Sequence, residues 1–457
     1  MTDNTHSMAN NLSNAELAQQ LQQLLSELQL EDAPAGGAVV VYQYGKCIAQ
    51  ATIGMAQLDS KWQSDTLSLN FSTGKGVLAT LVHVLVSNQL LDYDTPIANY
   101  WSAFSANGKD KITLRAVMSH QASLFAINSI DADSETLLDW AKMLDKVAHM
   151  SITAPDNATA YDSAYSALVY GWVLGGLIEA VTKMTLAEAL RYYLTEPLGI
   201  ADSCYFGVPV GKVTQVAKLA KNFTPEDQDN ATLRNKRHKP LLKAESPQTL
   251  AVYQLLPSYE CWQQLAVDTQ QVSADASLTA TQINRLYFDH SAINATNYRA
   301  ALVPANKQPI DYYNEQTLQA IIPAANGIAS AAALATIYAM LANGGIWQGK
   351  TLIDAATFAQ LSTKQVDGDD AVMPAKMQWR LGYHRLFSVC QQNDKVTQSK
   401  SAEQGFGHMG YNGSVAWCEP TRQLSFAFIH NFDATMLNDI RQFALTEAVL
   451  AAVDAQR

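Results

Sequence analysis

Ser72-Thr73-Gly74-Lys75 places a serine three residues before a lysine, a spacing that occurs nowhere else in the chain. The motif follows a strand-like segment at 67–71 and precedes a long apolar run, which predicts the N-terminus of a helix. Side chains at positions i and i+3 share a helix face, so we expect the Lys75 amine to point at the Ser72 hydroxyl. Burial disfavours a charged amine, and a neutral amine can take the proton of a serine nucleophile. The motif therefore predicts a catalytic serine–lysine pair, with an ordinary capped helix as the simpler alternative.

The segment after this motif is almost free of charge. Between residues 76 and 91, His83 is the only acidic or basic residue. A helix that is apolar on all sides is a central, buried helix. The pattern therefore places Ser72 where a strand meets the core helix, a position that suits a preorganised nucleophile.

Composition narrows the class of protein. The chain has 457 residues, of which 48% are hydrophobic and 16% charged, as is typical of a compact globular protein with two or three domain-sized units. Its net charge is −11, and its basic residues cluster mainly at 234–239, in Arg234, Lys236, Arg237 and Lys239. We interpret this cluster as a solvated loop and predict no nucleic-acid partner.

Cysteine and histidine spacing gives no sign of a metal site or a disulfide framework. The five cysteines are scattered, at Cys47, Cys204, Cys261, Cys390 and Cys418, and no HxH or HExxH is present. Residues 1–14 lack the regions of a secretory signal, and no apolar run predicts a transmembrane helix. We predict a reduced, soluble, cytoplasmic protein with no cofactor and no membrane partner; its oligomeric state stays open.

Periodicity places strands at both ends of the chain and helices between them. The predicted strands are 38–42, 47–53, 414–419 and 424–430, and the predicted helices include one from a Ser13–Glu16 capping box, 114–119, 134–148, 164–181, 331–342 and about 436–453. The fold class is α/β (α+β), with a discontinuous sheet domain at 1–71 and 325–457. A helical domain at 72–324 is inserted in it and includes a variable cap region at about 208–320.

Two further segments resemble motifs of the serine β-lactamase/penicillin-recognising superfamily, and most closely of its class C β-lactamase-like carboxylesterases (family VIII-type). Tyr165-Ser166-Ala167 is similar to the tyrosine motif of that branch, and His408-Met409-Gly410 stands in the place of the K-T-G motif. The three motifs occur in the family's order, and the resemblance runs from about 37 to 431 with a gap over much of 208–320. It implies a β-lactamase/transpeptidase-like fold, an antiparallel sheet flanked by helices.

The resemblance also implies a mechanism, acyl transfer through an acyl-enzyme without a cofactor. Its implied site residues are Ser72, Lys75 and Tyr165 for catalysis, and Ser72, His408, Gly410 and Tyr411 for the oxyanion and the substrate. Lys75 and Tyr165 would share the proton transfers, and we expect the lysine cation to lower the pKa of Tyr165. The N–H groups of Ser72 and Tyr411 would bind the oxyanion.

The chain departs from the family pattern at three places. Tyr161, six residues after Pro155, also fits the approach to the middle motif and rivals Tyr165. Ala167 stands where β-lactamases carry an asparagine, and His408 stands where they carry a lysine. A mostly neutral imidazole is a weak anchor for a substrate carboxylate. The last two departures favour a carboxylesterase acting on small esters.

Other functions remain as alternatives. The same motifs suit a β-lactamase, a D-Ala-D-Ala peptidase-like amide hydrolase, or a catalytically idle binding or scaffold member of the fold. An ordinary α/β-hydrolase is disfavoured because the chain has no G-x-S-x-G.

Overall fold

The computed structural model describes residues 4–29, 32–223, 245–308, 310–390 and 401–455. The basic cluster at 234–239 lies outside these ranges. No helix within them is long and apolar enough to cross a membrane.

Six antiparallel strands form the main sheet, and they come from both ends of the chain. Their spatial order is β10-β11-β12-β13-β1-β2, with β1 at Gly37–Gln43, β2 at Lys46–Ile53, β10 at His384–Arg385, β11 at Phe406–Met409, β12 at Val415–Glu419 and β13 at Leu424–His430. The two chain ends meet where β1 pairs with β13, with Gly37 opposite His430. This arrangement confirms the predicted antiparallel sheet and fold class, whereas the domain boundaries stay predictions.

The remaining elements form smaller sheets and a largely helical middle. The other strands are β3 (Met55–Gln57), β4 (Ser60–Lys61), β5 (Ser68–Phe71), β6 (Cys204–Phe206), β7 (Gly327–Ala329), β8 (Ile346–Trp347) and β9 (Lys350–Thr351). The α-helices are Asn4–Gln29, Gly74–Ser87, Leu114–Met118, Ser134–Leu138, Trp140–His149, Val169–Thr182, Leu186–Leu190, Glu196–Leu198, Pro247–Gln254, Tyr259–Asp268, Ala280–Asn284, Ala295–Leu302, Glu315–Gln319, Ala331–Ala342, Ala355–Ser362 and Arg441–Ala455.

The alternation of side chains along β1 divides the core into two layers. Ala38 and Val40 face the helix Ala331–Ala342, whereas Val39 and Val41 face the other side, where the terminal helices pack. All seven residues of β13 are buried, because helices cover both faces of the sheet beside it. The main sheet is therefore the middle layer of the molecule.

The helix Gly74–Ser87, here called the serine helix, is the central helix of the protein. Its residues are buried without interruption from Gly74 to Leu85. It packs against the helices Val169–Thr182 and Ala355–Ser362 and against β11. Neighbours on every side explain why its sequence is apolar all round.

Three predicted helix starts differ from the structure. The N-terminal helix begins at Asn4, so Ser13 and Glu16 lie inside it and the capping-box interpretation is wrong. The predicted helix 164–181 begins only at Val169, because side-chain hydrogen bonds hold the backbone before it in an irregular, non-helical conformation. The last helix begins at Arg441 rather than near Met436, because the preceding loop is used at the site described below.

A disulfide links the cap region to the segment after β10. Cys261, in the helix Tyr259–Asp268, is bonded to Cys390, whereas Cys47, Cys204 and Cys418 are free. The expectation of reduced cysteines is therefore wrong for this pair. The partners are 129 residues apart in sequence, so their spacing carries no signal that they meet in space. Disulfides are rare in reducing compartments, so this bond does not support the predicted cytoplasmic location.

We expect the disulfide to stabilise the fold, because it closes a loop of 129 residues. Reduction, or the pair Cys261→Ser and Cys390→Ser, should lower the free energy of unfolding by up to about 4–5 kcal/mol. Denaturant titration checks this, with Cys47→Ser as the matched control for an exposed free thiol. The oxidised, denatured protein should titrate three thiols and the reduced protein five; five thiols without reductant would contradict the bond.

Candidate active site

Ser72 lies at the turn between β5 and the serine helix, as predicted. Two glycines allow this turn to sit close to β7: a Cβ on Gly74 would lie 3.0 Å from the Gly327 Cα, and a Cβ on Gly327 would lie 2.7 Å from the Asn70 Oδ1. Phe71, just before the serine, has a left-handed backbone with φ of 50°. Such a conformation is unfavourable for a residue with a side chain and persists where packing imposes it.

Lys75 is fully buried, and its amine contacts three oxygen atoms. Its Nζ lies 2.7 Å from the Ala167 carbonyl oxygen, 2.6 Å from the Ala324 carbonyl oxygen and 2.9 Å from the Ser72 Oγ. Burial lowers the pKa of Lys75 well below its usual value. A neutral amine has two N–H donors and one lone pair, and carbonyls only accept. In the resting geometry the Lys75 Nζ donates to the Ser72 Oγ, and the Ser72 hydroxyl donates to the Ala324 carbonyl oxygen at 3.2 Å. Loss of a proton from the amine would leave its lone pair beside the Ser72 hydroxyl, and the predicted contact of serine and lysine is confirmed.

Tyr165 lies beside this pair and is almost fully buried. The Lys75 Nζ is 4.9 Å from the centre of its ring, and the ring stacks on Trp379 with a centroid distance of 5.5 Å. Burial raises the pKa of Tyr165 above its usual value, although its hydrogen bond with Ser72 opposes the shift. The expectation that Lys75 lowers this pKa is therefore wrong, because desolvation dominates and the amine beside the ring is itself biased towards neutrality. Tyr165 therefore keeps its hydroxyl proton near pH 7.

The rival Tyr161 occupies a different place. It is partly buried and precedes the short bridge between Ser163 and Asp370. Ser72 and Tyr165 line one cavity, and Tyr161 is not among the described residues that line it. The structure thus brings Ser72, Lys75 and Tyr165 together without Tyr161.

The two N–H groups expected to bind an oxyanion are free of protein acceptors. Within the described ranges, neither the Ser72 N–H nor the Tyr411 N–H donates a hydrogen bond. Tyr411 is held through the following peptide group, whose carbonyl oxygen accepts from the Met436 N–H at 2.8 Å. Gly410 lets this strand end approach the serine turn, since a Cβ there would lie 2.3 Å from the Asn70 carbonyl oxygen.

His408 and His384 contact the two peptide groups on either side of the Met409 Cα. The His408 Nδ1 lies 3.0 Å from the Met409 carbonyl oxygen, and the Met409 N–H donates to the His384 Nε2 at 2.9 Å. Burial lowers the pKa of His408 well below its usual value and that of His384 to about 4. Both rings are therefore neutral near pH 7, and His408 offers no positive charge to a substrate.

Asp370 organises the tyrosine and was not singled out by the sequence motifs. Its carboxylate accepts five hydrogen bonds, from the backbone N–H groups of Tyr165, Val372 and Met373, from the Ser163 hydroxyl and from the Trp379 indole N–H, at 2.7–3.2 Å. It thereby fixes both Tyr165 and the ring on which Tyr165 stacks. Asp370 lies 205 residues after Tyr165 in sequence, so no motif around Tyr165 includes it.

The cavity above Ser72 is mainly apolar. It is lined by Ser72, Tyr165, Tyr298, Leu302, Met373, Met377, Trp379, His384, His408, Met409, Tyr411 and Met436. Tyr298 and Leu302 come from the cap region, whereas Met373, Met377 and Met436 carried no signal in the sequence. No lysine or arginine is among these lining residues.

Comparison with known proteins agrees with this geometry. The beta-lactamase family matches residues 18–450. The Esterase/beta-lactamase LipL of Mycobacterium tuberculosis (strain ATCC 25618 / H37Rv) is 30% identical over 401 residues, which cover 87% of this chain and 77% of LipL.

Solved structures share the fold over nearly the whole chain. A penicillin-binding protein homologue from Caulobacter crescentus has a TM-score of 0.65 and 25% identity, covering 97% of both chains. A family VIII carboxylesterase has a TM-score of 0.65 at 22% identity, covering 95% of this chain and 97% of that one. Since the family match spans nearly the whole sequence, the chain belongs to the beta-lactamase family of serine hydrolases.

Proposed function

We propose that this protein is a carboxylesterase that hydrolyses small esters through an acyl-enzyme on Ser72. The observation that carries the proposal is the 2.9 Å contact between the buried Lys75 Nζ and the Ser72 Oγ. An amine with a lowered pKa, aimed at a hydroxyl, is what a serine needs to become a nucleophile. The esterase in the name of LipL and the carboxylesterase among the fold neighbours support esters as the substrate class.

Acylation begins with the neutral Lys75 amine. It accepts the Ser72 proton while the Ser72 Oγ forms a bond to the ester carbonyl carbon. The carbonyl oxygen becomes an oxyanion, which the N–H groups of Ser72 and Tyr411 stabilise. The bond to the alcohol oxygen then breaks, and that oxygen takes a proton from the Tyr165 hydroxyl. The raised pKa of Tyr165 keeps this proton in place until it is needed.

Deacylation reverses the proton transfers. The lysine ammonium lies beside the Tyr165 ring and returns a proton towards the tyrosine, which restores the neutral amine. Water then loses a proton to the Lys75–Tyr165 pair as it attacks the acyl carbonyl carbon. The bond from that carbon to the Ser72 Oγ breaks, and Ser72 regains its proton.

The cavity favours esters over β-lactams for two reasons. Ala167 has no side-chain amide to contact a β-lactam side chain, and its carbonyl is already bound to Lys75. A β-lactam also carries a carboxylate, and no lysine or arginine lies among the described lining residues. A site that leaves such groups unpaired discriminates strongly against them.

Ser72→Ala should reduce hydrolysis of p-nitrophenyl butyrate by about 10⁴-fold or more, because it removes the covalent nucleophile. The panel is p-nitrophenyl esters of graded chain length, nitrocefin and a D-Ala-D-Ala peptide. Short esters should be turned over best, with kcat/KM for nitrocefin lower by about 100-fold. A fluorophosphonate probe should label the wild type and not the variant. Comparable kcat/KM for nitrocefin and p-nitrophenyl butyrate would instead indicate a β-lactamase, and an unlabelled, inactive wild type would indicate a scaffold.

Tyr165→Phe should lower kcat by about 10²- to 10⁴-fold, because it removes the proton donor to the leaving group. Tyr161→Phe is the matched control, since Tyr161 is not among the described residues of the cavity, and it should stay near wild-type activity. Steady-state kinetics on one p-nitrophenyl ester checks both variants. A severe loss in Tyr161→Phe with a mild one in Tyr165→Phe would transfer the role to Tyr161.

Asp370→Asn should lower kcat by about 10- to 100-fold and also lower the melting temperature. The amide would turn an N–H₂ group towards N–H or O–H donors that the carboxylate now binds, and each mispaired donor costs about 1–3 kcal/mol. The Tyr165 hydroxyl would then shift from its reactive position. Asp369→Asn is the control, because Asp369 is an exposed neighbour of the same charge. Equal effects of the two substitutions would show that Asp370 does not position the tyrosine.

A further inference from the structure

His408 has one ring nitrogen with a fixed task and one without a partner. Its Nδ1 lies 3.0 Å from the Met409 carbonyl oxygen, which can only accept, so the Nδ1 carries the hydrogen. The Nε2 is therefore a bare acceptor in the neutral ring. It is buried and has no hydrogen-bond partner among the described residues.

An unpaired acceptor at this depth is costly unless a ligand satisfies it. His408 lines the same cavity as Ser72 and Tyr165, and only 2% of the residue is exposed. Burial is the largest cause that lowers the pKa of His408, so its ring is neutral near pH 7. The unpaired Nε2 can thus pair with a hydrogen-bond donor but not with a carboxylate.

The position of His408 identifies which half of the substrate it meets. Its ring lies 6.2 Å from the ring of Tyr165, between centroids. Tyr165 hands its proton to the leaving oxygen in the proposed mechanism, so the leaving alcohol lies beside it. An alcohol of a few carbon atoms, starting at that oxygen, reaches the His408 side of the cavity.

We propose that the His408 Nε2 accepts a hydrogen bond from the leaving alcohol, so that the enzyme prefers esters whose alcohol part carries a hydroxyl or N–H donor a few atoms from the ester oxygen. This inference rests on the proposed carboxylesterase function and names the substrate class of that same site. Esters of diols and other polyhydroxy alcohols satisfy it. Alcohols that end in a methyl group leave the Nε2 unpaired, and those that end in a carboxylate place a negative charge against it.

The test compares three butyrate esters that differ only at the end of the alcohol. They are 3-hydroxypropyl butyrate, butyl butyrate and the butyrate ester of 3-hydroxypropanoate, which end in a hydroxyl, a methyl and a carboxylate. All three form the same butyryl-enzyme, so differences in kcat/KM report acylation alone. In the wild-type enzyme we expect kcat/KM for the hydroxyl ester to exceed that for the methyl ester by about 10-fold. The carboxylate ester should have the lowest kcat/KM of the three.

Variants of His408 separate recognition from a structural role. His408→Leu should reduce the ratio of hydroxyl to methyl ester to about 1, whereas His408→Gln, which keeps an acceptor, should retain part of it. His408→Lys should raise kcat/KM for the carboxylate ester, relative to that for the methyl ester, by about 10-fold. If His408 had only a structural role, each substitution would lower kcat/KM for all three esters together and leave the ratios unchanged.

Several results would overturn the inference, and the wild-type comparison alone can do so. Equal kcat/KM for the three esters in an enzyme active on p-nitrophenyl butyrate would overturn it and leave the proposed function intact. A higher kcat/KM for p-nitrophenyl 3-hydroxybutyrate than for p-nitrophenyl butyrate, with no preference among the three alcohol parts, would place the contact on the acyl side. That result would also overturn the inference. No hydrolysis of any ester would overturn the carboxylesterase function itself, and this inference with it.

Discussion

The burial of one amine between two backbone carbonyls is the constraint on which the site depends. The Lys75 Nζ requires the carbonyl of Ala167, just before the helix Val169–Thr182, and that of Ala324, just before β7. Three separate parts of the chain must therefore meet at one point. The Ala324 turn is held in turn by Asn326, whose side chain accepts from the Ile322 N–H at 3.0 Å and donates to two further carbonyls. Burial at this point lowers the pKa of the amine, and the two turns fix its orientation.

The same site keeps its two histidine rings uncharged near pH 7. His384 and His408 sit near Lys75 in a buried environment that lowers the pKa of each. A protonated imidazole here would repel a lysine ammonium, so neutral rings let the amine take a proton during the reaction without a competing cation. Asp370 serves the site through hydrogen bonds from neutral donors, among them the Tyr165 N–H. The chemistry thus relies on fixed dipoles and lone pairs.

The sequence predicted the elements that repeat a simple pattern. The helix 331–342 and the strand 424–430 have the bounds that were predicted, because few polar residues interrupt the apolar pattern of either segment. Ser72 and Lys75 were predictable because one helix turn joins them. Asp370 was not, because a carboxylate that accepts hydrogen bonds from distant backbone has no local signature. The pKa of Tyr165 was predicted with the wrong sign, since the degree of burial is a property of the packed structure.

The cap region is connected to the chemistry more directly than its weak resemblance to the family suggests. Asn284, in the helix Ala280–Asn284, donates to the carbonyls of Met436 and Asp439, both at 3.2 Å. The Met436 N–H in turn donates to the Tyr411 carbonyl, one peptide away from the N–H proposed to bind the oxyanion. The cap therefore supplies walls for the cavity and also anchors the loop that orients this donor. Substitutions in the cap that change which alcohol the cavity binds must keep the hydrogen bonds of Asn284. Without them the loop at Met436 would move and displace the Tyr411 N–H from the oxyanion.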